Sequence, residues 1–338
     1  MRGASTLLAA LAAAALASAS PGPPCKCSNA TLCKPLAGPA VADREFFMFA
    51  TAASQNWELY PWERLTTVAV AGWDGVTSDM VCRAHASSTR LVILTSMPKD
   101  QVANATLRSA WVASTVASVR ASALDGVNVD FEDFVLAGET AVRDGLVALT
   151  KELRAALDAA GREDGGAYQL SWDFAWSPDG LDGNCGIDER CYPYAQLAAL
   201  VDVGFVMAYD MRSQVFGPGP CRAYANSPRD LVADGMTRWA AVAASSKLVL
   251  GLPLYGYRYT CLPGTDPAAA LCPINTTLWR NATCSGEATF GGMVLWFFVC
   301  FSPAAALTPP PPTAPPHAVE SPPPSKSRRL CGERAQRV

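Results

Sequence analysis

Asn128, Asp130 and Glu132 stand two residues apart and alternate with apolar Val127, Val129 and Phe131. A period of two is the pattern of a β-strand with two unlike faces, so the polar trio projects to one side. An ionised carboxylate taken out of water without a partner is strongly unfavourable. A strand with two acids on one face therefore belongs at the rim of a cavity, not in a core. Like charges held that close push one pKa upward, and a carboxyl kept protonated in this way can serve as a general acid. Glu132, at the end of the run, is the candidate acid, with Asp130 as its coupled neighbour. The competing readings are a structural carboxylate pair and a calcium site. Acid-rich calcium sites lie on loops with a glycine bend rather than on an alternating strand.

The elements that must hold this strand follow from the rest of the chain. Short apolar runs at 45–50, 66–72 and 91–96 precede it, and runs at 168–175, 203–210 and 247–256 follow. Helix-compatible stretches at 78–86, 106–123 and 138–160 lie between them, the last with Val142, Leu146, Leu149, Leu153 and Leu157 at helical spacing. Strands alternating with helices imply parallel pairing. Seven such units point to an α/β fold, a TIM (β/α)8-type barrel with one unit unaccounted for. In such a barrel, side chains at the carboxyl ends of the strands converge on one cavity. That gathers Asp130, Glu132, Asp173, Trp176, Met207, Tyr209, Asp210 and Tyr255. Aromatic faces stack on sugars and carboxylates bind hydroxyls, so the mixture suits a carbohydrate. Taken singly, Trp176 and Tyr255 read more readily as core, and Met207 as packing filler.

The run from Asp125 through Asn128 and Asp130 to Glu132 resembles the DxxDxDxE signature of glycoside hydrolase family 18, with Asn128 where the family usually has Asp. Met207–Asp210 is similar to the family's MxYD motif, and the segment at 251–256 to its GxPxYG motif. The likeness covers roughly residues 25–285 and is closest to the exo-acting, lysosomal branch that splits the chitobiose core of Asn-linked glycans. The resemblance implies substrate-assisted, retaining hydrolysis of a GlcNAc-β-1,4-GlcNAc bond. Glu132 would be acid then base, Asp130 would hold the acetamido N–H, and Tyr209 would orient the acetamido carbonyl. Asn128, Asp125, Asp173, Trp176, Met207, Asp210 and Tyr255 would bind substrate. An amide at 128 can hydrogen-bond but cannot share a proton as the usual Asp does.

The chain has 338 residues, half of them apolar, and a formal net charge of −3, which gives no reason to expect a nucleic-acid or polyanionic partner. GlcNAc oligosaccharides are the expected partners of a monomer with no cofactor, metal or membrane anchor. Arg2, the apolar run at 7–16 and Ala17–Ala19 read as a secretory signal peptide over 1–19. The twelve cysteines, ten of them before the tail, fit disulfides, with the pairing left open. Sequons at Asn29, Asn104, Asn275 and Asn281 agree with secretion. The barrel is expected over 20–285 and a divergent tail over 286–338, apolar at 293–301 and then Pro-rich and disordered. The family's eighth strand and its sugar-platform tryptophan are not recognisable there. Met293–Phe301 is the alternative candidate for that strand. The sequence therefore also admits a truncated, catalytically silent or glycan-binding barrel.

Overall fold

The structure is a computed structural model that describes residues 24–51, 57–180, 185–211, 225–257, 261–265, 273, 293–294 and 300–301. The expected signal peptide and the Pro-rich run lie outside the described residues, as do Asn275 and Asn281.

In chain order the strands and helices are β1 (Phe46–Ala50), β2 (Thr67–Ala71), α1 (Ser78–Ala86), β3 (Arg90–Thr95), α2 (Lys99–Val102) and α3 (Ala105–Ala121). They continue with β4 (Gly126–Val129), α4 (Thr140–Asp164), β5 (Gln169–Ala175), α5 (Tyr194–Leu200), β6 (Val203–Met207), α6 (Arg229–Val242) and β7 (Leu248–Leu250). Two-residue strands follow: β8 (Gly256–Tyr257) pairs antiparallel with β9 (Met293–Val294), and β10 is Cys300–Phe301. The first seven strands are parallel neighbours in sequence order, from β1 beside β2 to β6 beside β7. This is the expected TIM-type barrel without a native eighth strand. Between β1 and β7 the ring is bridged by β10, which runs antiparallel to both. The eighth position is thus taken, among the described residues, by Cys300 and Phe301 running in the wrong direction for a parallel strand.

Period-two alternation sorts the side chains into two cores. Phe47, Phe49, Ala69, Val92, Phe205, Met207 and Val249 fill the barrel, while Val127, Val129, Phe131, Trp172, Phe174 and Trp176 face the helices outside. Gly126 is required where β4 meets β5. Its φ is +155°, and a Cβ there would stand 2.0 Å from the Gln169 carbonyl oxygen. On the outer face Phe174 stacks on Trp239 of α6 at 4.7 Å, and the Trp239 indole donates to the Ala175 carbonyl at 3.0 Å. Helix starts follow local capping: Thr77 accepts from Met80 N, and Asn104 from Thr106 N and Leu107 N.

The amino-terminal segment is stapled across the bottom of the barrel. Disulfides join Cys25 to Cys33 and Cys27 to Cys82 of α1, and a third joins Cys185 to Cys191. No helix among the described residues is long and apolar enough to cross a membrane.

Candidate active site at the carboxyl ends of the strands

The β4 ladder ends at Val129, and the Asp130 amide makes a further bond to the Thr95 carbonyl at 3.0 Å. Asp130 and Glu132 follow on the inward side. Asp130 is pushed up to about 7 by burial, by the charge of Glu132 and by a hydrogen bond with it, while the Arg190 guanidinium pulls the other way. One carboxylate oxygen of Asp130 is buried with no hydrogen-bond partner among the described residues. Asp173, on β5, is buried as well and held well above the usual carboxylate range, first by burial and then by the charge of Asp130; its bond from Asn128 opposes the shift. The Asn128 amide donates to Ser171 Oγ and to Asp173 Oδ1, both at 3.0 Å, so it fastens β4 to β5 under the acids. Its own oxygen is buried without a partner among the described residues.

Across the barrel, Met207 and Tyr209 line the inner core, with the Tyr209 ring 6.5 Å from Phe205 and 6.2 Å from Tyr255. The Tyr255 hydroxyl donates to Asp210 Oδ2 at 2.6 Å, and the Asp210 amide donates to Asn226 Oδ1 at 2.7 Å. Asn226 in turn donates to the Tyr255 carbonyl at 3.2 Å. Asp210 has φ +55°, a left-handed backbone that a non-glycine residue seldom adopts without a functional or turn requirement. Eight expected residues, Asn128, Asp130, Glu132, Asp173, Met207, Tyr209, Asp210 and Tyr255, are thus brought to the same end of the barrel.

Two expected residues are not. Asp125 immediately precedes β4 at the opposite end, fully buried. It accepts from the Leu36 and Leu91 amides at 2.7 Å each and pairs with His85 Nε2 at 2.8 Å. Its bonding is spent on the fold, and the expected substrate contact is corrected to a structural one. Trp176 lies on the outer face of β5, where a Cβ on Gly235 of α6 would meet its carbonyl oxygen at 2.2 Å and its ring at 3.1 Å. It is a helix-packing residue and faces away from the cavity.

Sequence reasoning missed Arg190 and Tyr192. Arg190 donates to the Glu132 carboxylate, and Tyr192 donates to the carbonyls of Phe131 at 3.2 Å and Asp133 at 2.5 Å. Both lie in a loop without periodicity, where the signal is the pair Cys185 and Cys191, the second of which stands between them.

With this geometry in place, comparison with known proteins is informative. The family described as "Glycosyl hydrolases family 18" matches residues 98–296. Di-N-acetylchitobiase of Rattus norvegicus is 36% identical over 265 residues, covering 78% of this chain and 67% of the relative. The Homo sapiens protein of the same name is 35% identical over 270 residues, covering 79% of this chain and 64% of the relative. The chain thus spans about two thirds of the length of these relatives. Among solved structures, a class V chitinase from Nicotiana tobaccum in complex with NAG4 superposes with a TM-score of 0.52 at 19% identity, covering 64% of this chain and 69% of that one. That likeness speaks for the barrel. The family profile and the relatives go further: the chain belongs to glycosyl hydrolases family 18.

Proposed function

We propose that this protein is a lysosomal exoglycosidase. It would hydrolyse the GlcNAc-β-1,4-GlcNAc core of Asn-linked glycans and chitin oligosaccharides by substrate-assisted, retaining catalysis. The observation that carries this reading is the Asp130–Glu132 pair, in which a half-buried carboxyl pushed up to about 7 is hydrogen-bonded to a more exposed one. Two carboxyls this close can share a proton, which fits one of them, Glu132, working first as acid and then as base.

Most glycosidases need a second carboxylate as nucleophile, and family 18 is among the exceptions that use the substrate. The other carboxyls here fit that exception. Asp173 is buried and favours its neutral form, and Asp210 accepts from Tyr255. Neither is suited to attack a sugar. In the proposed first step the 2-acetamido oxygen attacks the anomeric carbon while Glu132 gives its proton to the departing glycosidic oxygen. Asp130 accepts from the acetamido N–H as that nitrogen gains positive charge, and Tyr209 orients the acetamido carbonyl. In the second step Glu132 takes a proton from water as the water opens the oxazolinium ring, and the original configuration is restored. Lysosomal action rests on the chitobiase relatives together with the leader and sequons of the sequence.

The test is release of fluorophore from a di-N-acetylchitobioside at acid pH. Wild-type turnover is expected, Glu132→Gln should lose about 10²–10⁴-fold, and a GlcNAc thiazoline should inhibit. Cleavage of a glucoside lacking the 2-acetamido group at a comparable rate would exclude substrate assistance. Binding of chitobiose without turnover would favour the glycan-binding reading over the hydrolase.

A further inference from the structure

Glu132 stands three residues beyond the last ladder residue of β4, so the sheet does not hold it. What holds it comes from the loop between β5 and α5. Val135 forms a parallel bridge with Arg190: the Val135 amide donates to the Glu189 carbonyl, and the Cys191 amide to the Val135 carbonyl, both at 2.8 Å. Tyr192 adds its hydroxyl to the carbonyls on either side of Glu132, those of Phe131 and Asp133, and its ring packs edge-on against Phe131 at 5.5 Å. The Cys185–Cys191 disulfide closes a short loop that ends between Arg190 and Tyr192. The Arg190 guanidinium, with a side chain only 14% exposed, donates to Glu132 Oε2.

We propose that Arg190 is a positioning residue of this site: by occupying one carboxylate oxygen of Glu132 it fixes the side chain, so that proton exchange runs through the other oxygen, and it sets how Asp130 and Glu132 share a proton. The proposal rests on the glycosidase reading above and deepens it. Its physics is that of a charge-assisted bond, stronger than a neutral one and directional. A displacement of about 1 Å at a reacting group can cost on the order of 10²-fold in rate. The groups facing the pair are Asp173 from β5 and Arg190 and Tyr192 from the loop. Arg190 is the cation among them, and its charge favours the ionised form of Asp130. Removing it must therefore raise the affinity of Asp130 for protons.

Three measurements test this. In a folded Arg190→Gln variant, kcat on a chitobioside should fall about 10–100-fold with KM changed less than about threefold, and the alkaline limb of the pH–rate profile should move to higher pH. Arg190→Lys restores the charge without the planar fork, so it should return the alkaline limb to its wild-type place while recovering only part of kcat. Carboxyl titration by 13C NMR reads the same ionisation without turnover, and Arg190→Gln should raise the midpoint of Asp130. A folded Arg190→Gln chain with wild-type kcat and an unmoved midpoint overturns the proposal. Should that variant not fold, an Arg190→Lys chain with unreduced kcat overturns it. Should the wild type show no turnover, the glycosidase reading fails by itself. The NMR midpoint then decides for Arg190: a rise supports its hold on the pair, and no rise overturns it.

Discussion

The two ends of β4 carry the same residue type in opposite circumstances. At the amino end, Asp125 is buried and saturated: two backbone amides and the His85 imidazole supply its bonds at 2.7–2.8 Å. At the carboxyl end, Asp130 is short of donors. One oxygen has no partner among the described residues, its neighbours Glu132 and Asp173 are acids, and it clings to a proton up to about 7. A satisfied buried carboxylate is an element of the fold, whereas one short of donors is a candidate for chemistry. Partner count and burial together, not residue type, separate the structural acid from the candidate for chemistry.

The sharpest way to break this comparison is to remove each acid in turn. Asp125→Ala leaves a buried His85 without its carboxylate, and the buried Leu91 amide and the half-buried Leu36 amide without an acceptor. Breaking a buried pair from one side costs about 3–5 kcal/mol, so the variant should unfold at much lower denaturant or be lost during expression. Urea melts of the purified chain check it. A midpoint near wild type would mean that Asp125 does not anchor the barrel.

Asp130→Asn should do the reverse. It removes a group whose ionisation the fold resists, so the folded chain should survive, while turnover drops about 10²-fold or more with the loss of the proton-sharing partner. The linkage has a sign. The folded-state pKa of Asp130, about 7, lies above the ordinary value of 3.8. Its contribution to stability is thus present below about 4 and lost as pH rises toward 7. Asp173 is raised too and acts in the same direction. Asp130→Asn should therefore flatten, without abolishing, the fall in stability between pH 4 and 7. Thermal melts at stepped pH show whether it does; a variant with the full wild-type slope would remove Asp130 from the account.

Much of this contrast was legible in the sequence, and the errors were errors of parity. The alternation of Val127, Val129 and Phe131 with Asn128, Asp130 and Glu132 gave the strand, its inner face and the acid pair. The same rule places Asp125, three residues before Asn128, on the outer face. It likewise places Trp176, three residues after Asp173, among the helix-packing side chains with Trp172 and Phe174. Both were drawn toward the cavity because strand ends were grouped without regard to face, and Asp125 also because it opens the family motif. Arg190 and Tyr192 were not legible for a different reason. Loop residues carry no period, and their partners lie about sixty residues away, at 131–135. The antiparallel seam at Cys300–Phe301 is non-local in the same sense, since a two-residue strand has no pattern to read.

The smallest expected effect sharpens the comparison at the structural end. His85 presents both ring nitrogens to acceptors, Nδ1 to the Leu32 carbonyl at 2.5 Å and Nε2 to Asp125 at 2.8 Å. Only the imidazolium can donate to both. Burial alone would lower its pKa and the charge of Arg90 works the same way. The hydrogen bond and charge of Asp125, with the Leu32 carbonyl, outweigh them and hold it above 6.5. Because the folded-state pKa is the higher one, the stabilisation is complete below about 6.5 and disappears as pH rises through the raised value. Its window thus begins where that of Asp130 ends. Loss of the second donor leaves one buried acceptor unmatched, which costs about 1–3 kcal/mol. His85→Gln should therefore be destabilised most in mild acid and converge on wild type as pH rises through the raised value, whereas Asp130→Asn departs from wild type as pH rises from 4 to 7 and keeps its full difference above that. Denaturant midpoints of both variants across pH 4–9 distinguish the two ends. If His85→Gln shows the same deficit at every pH, His85 is a packing residue and does not hold the amino-terminal strap through its charge.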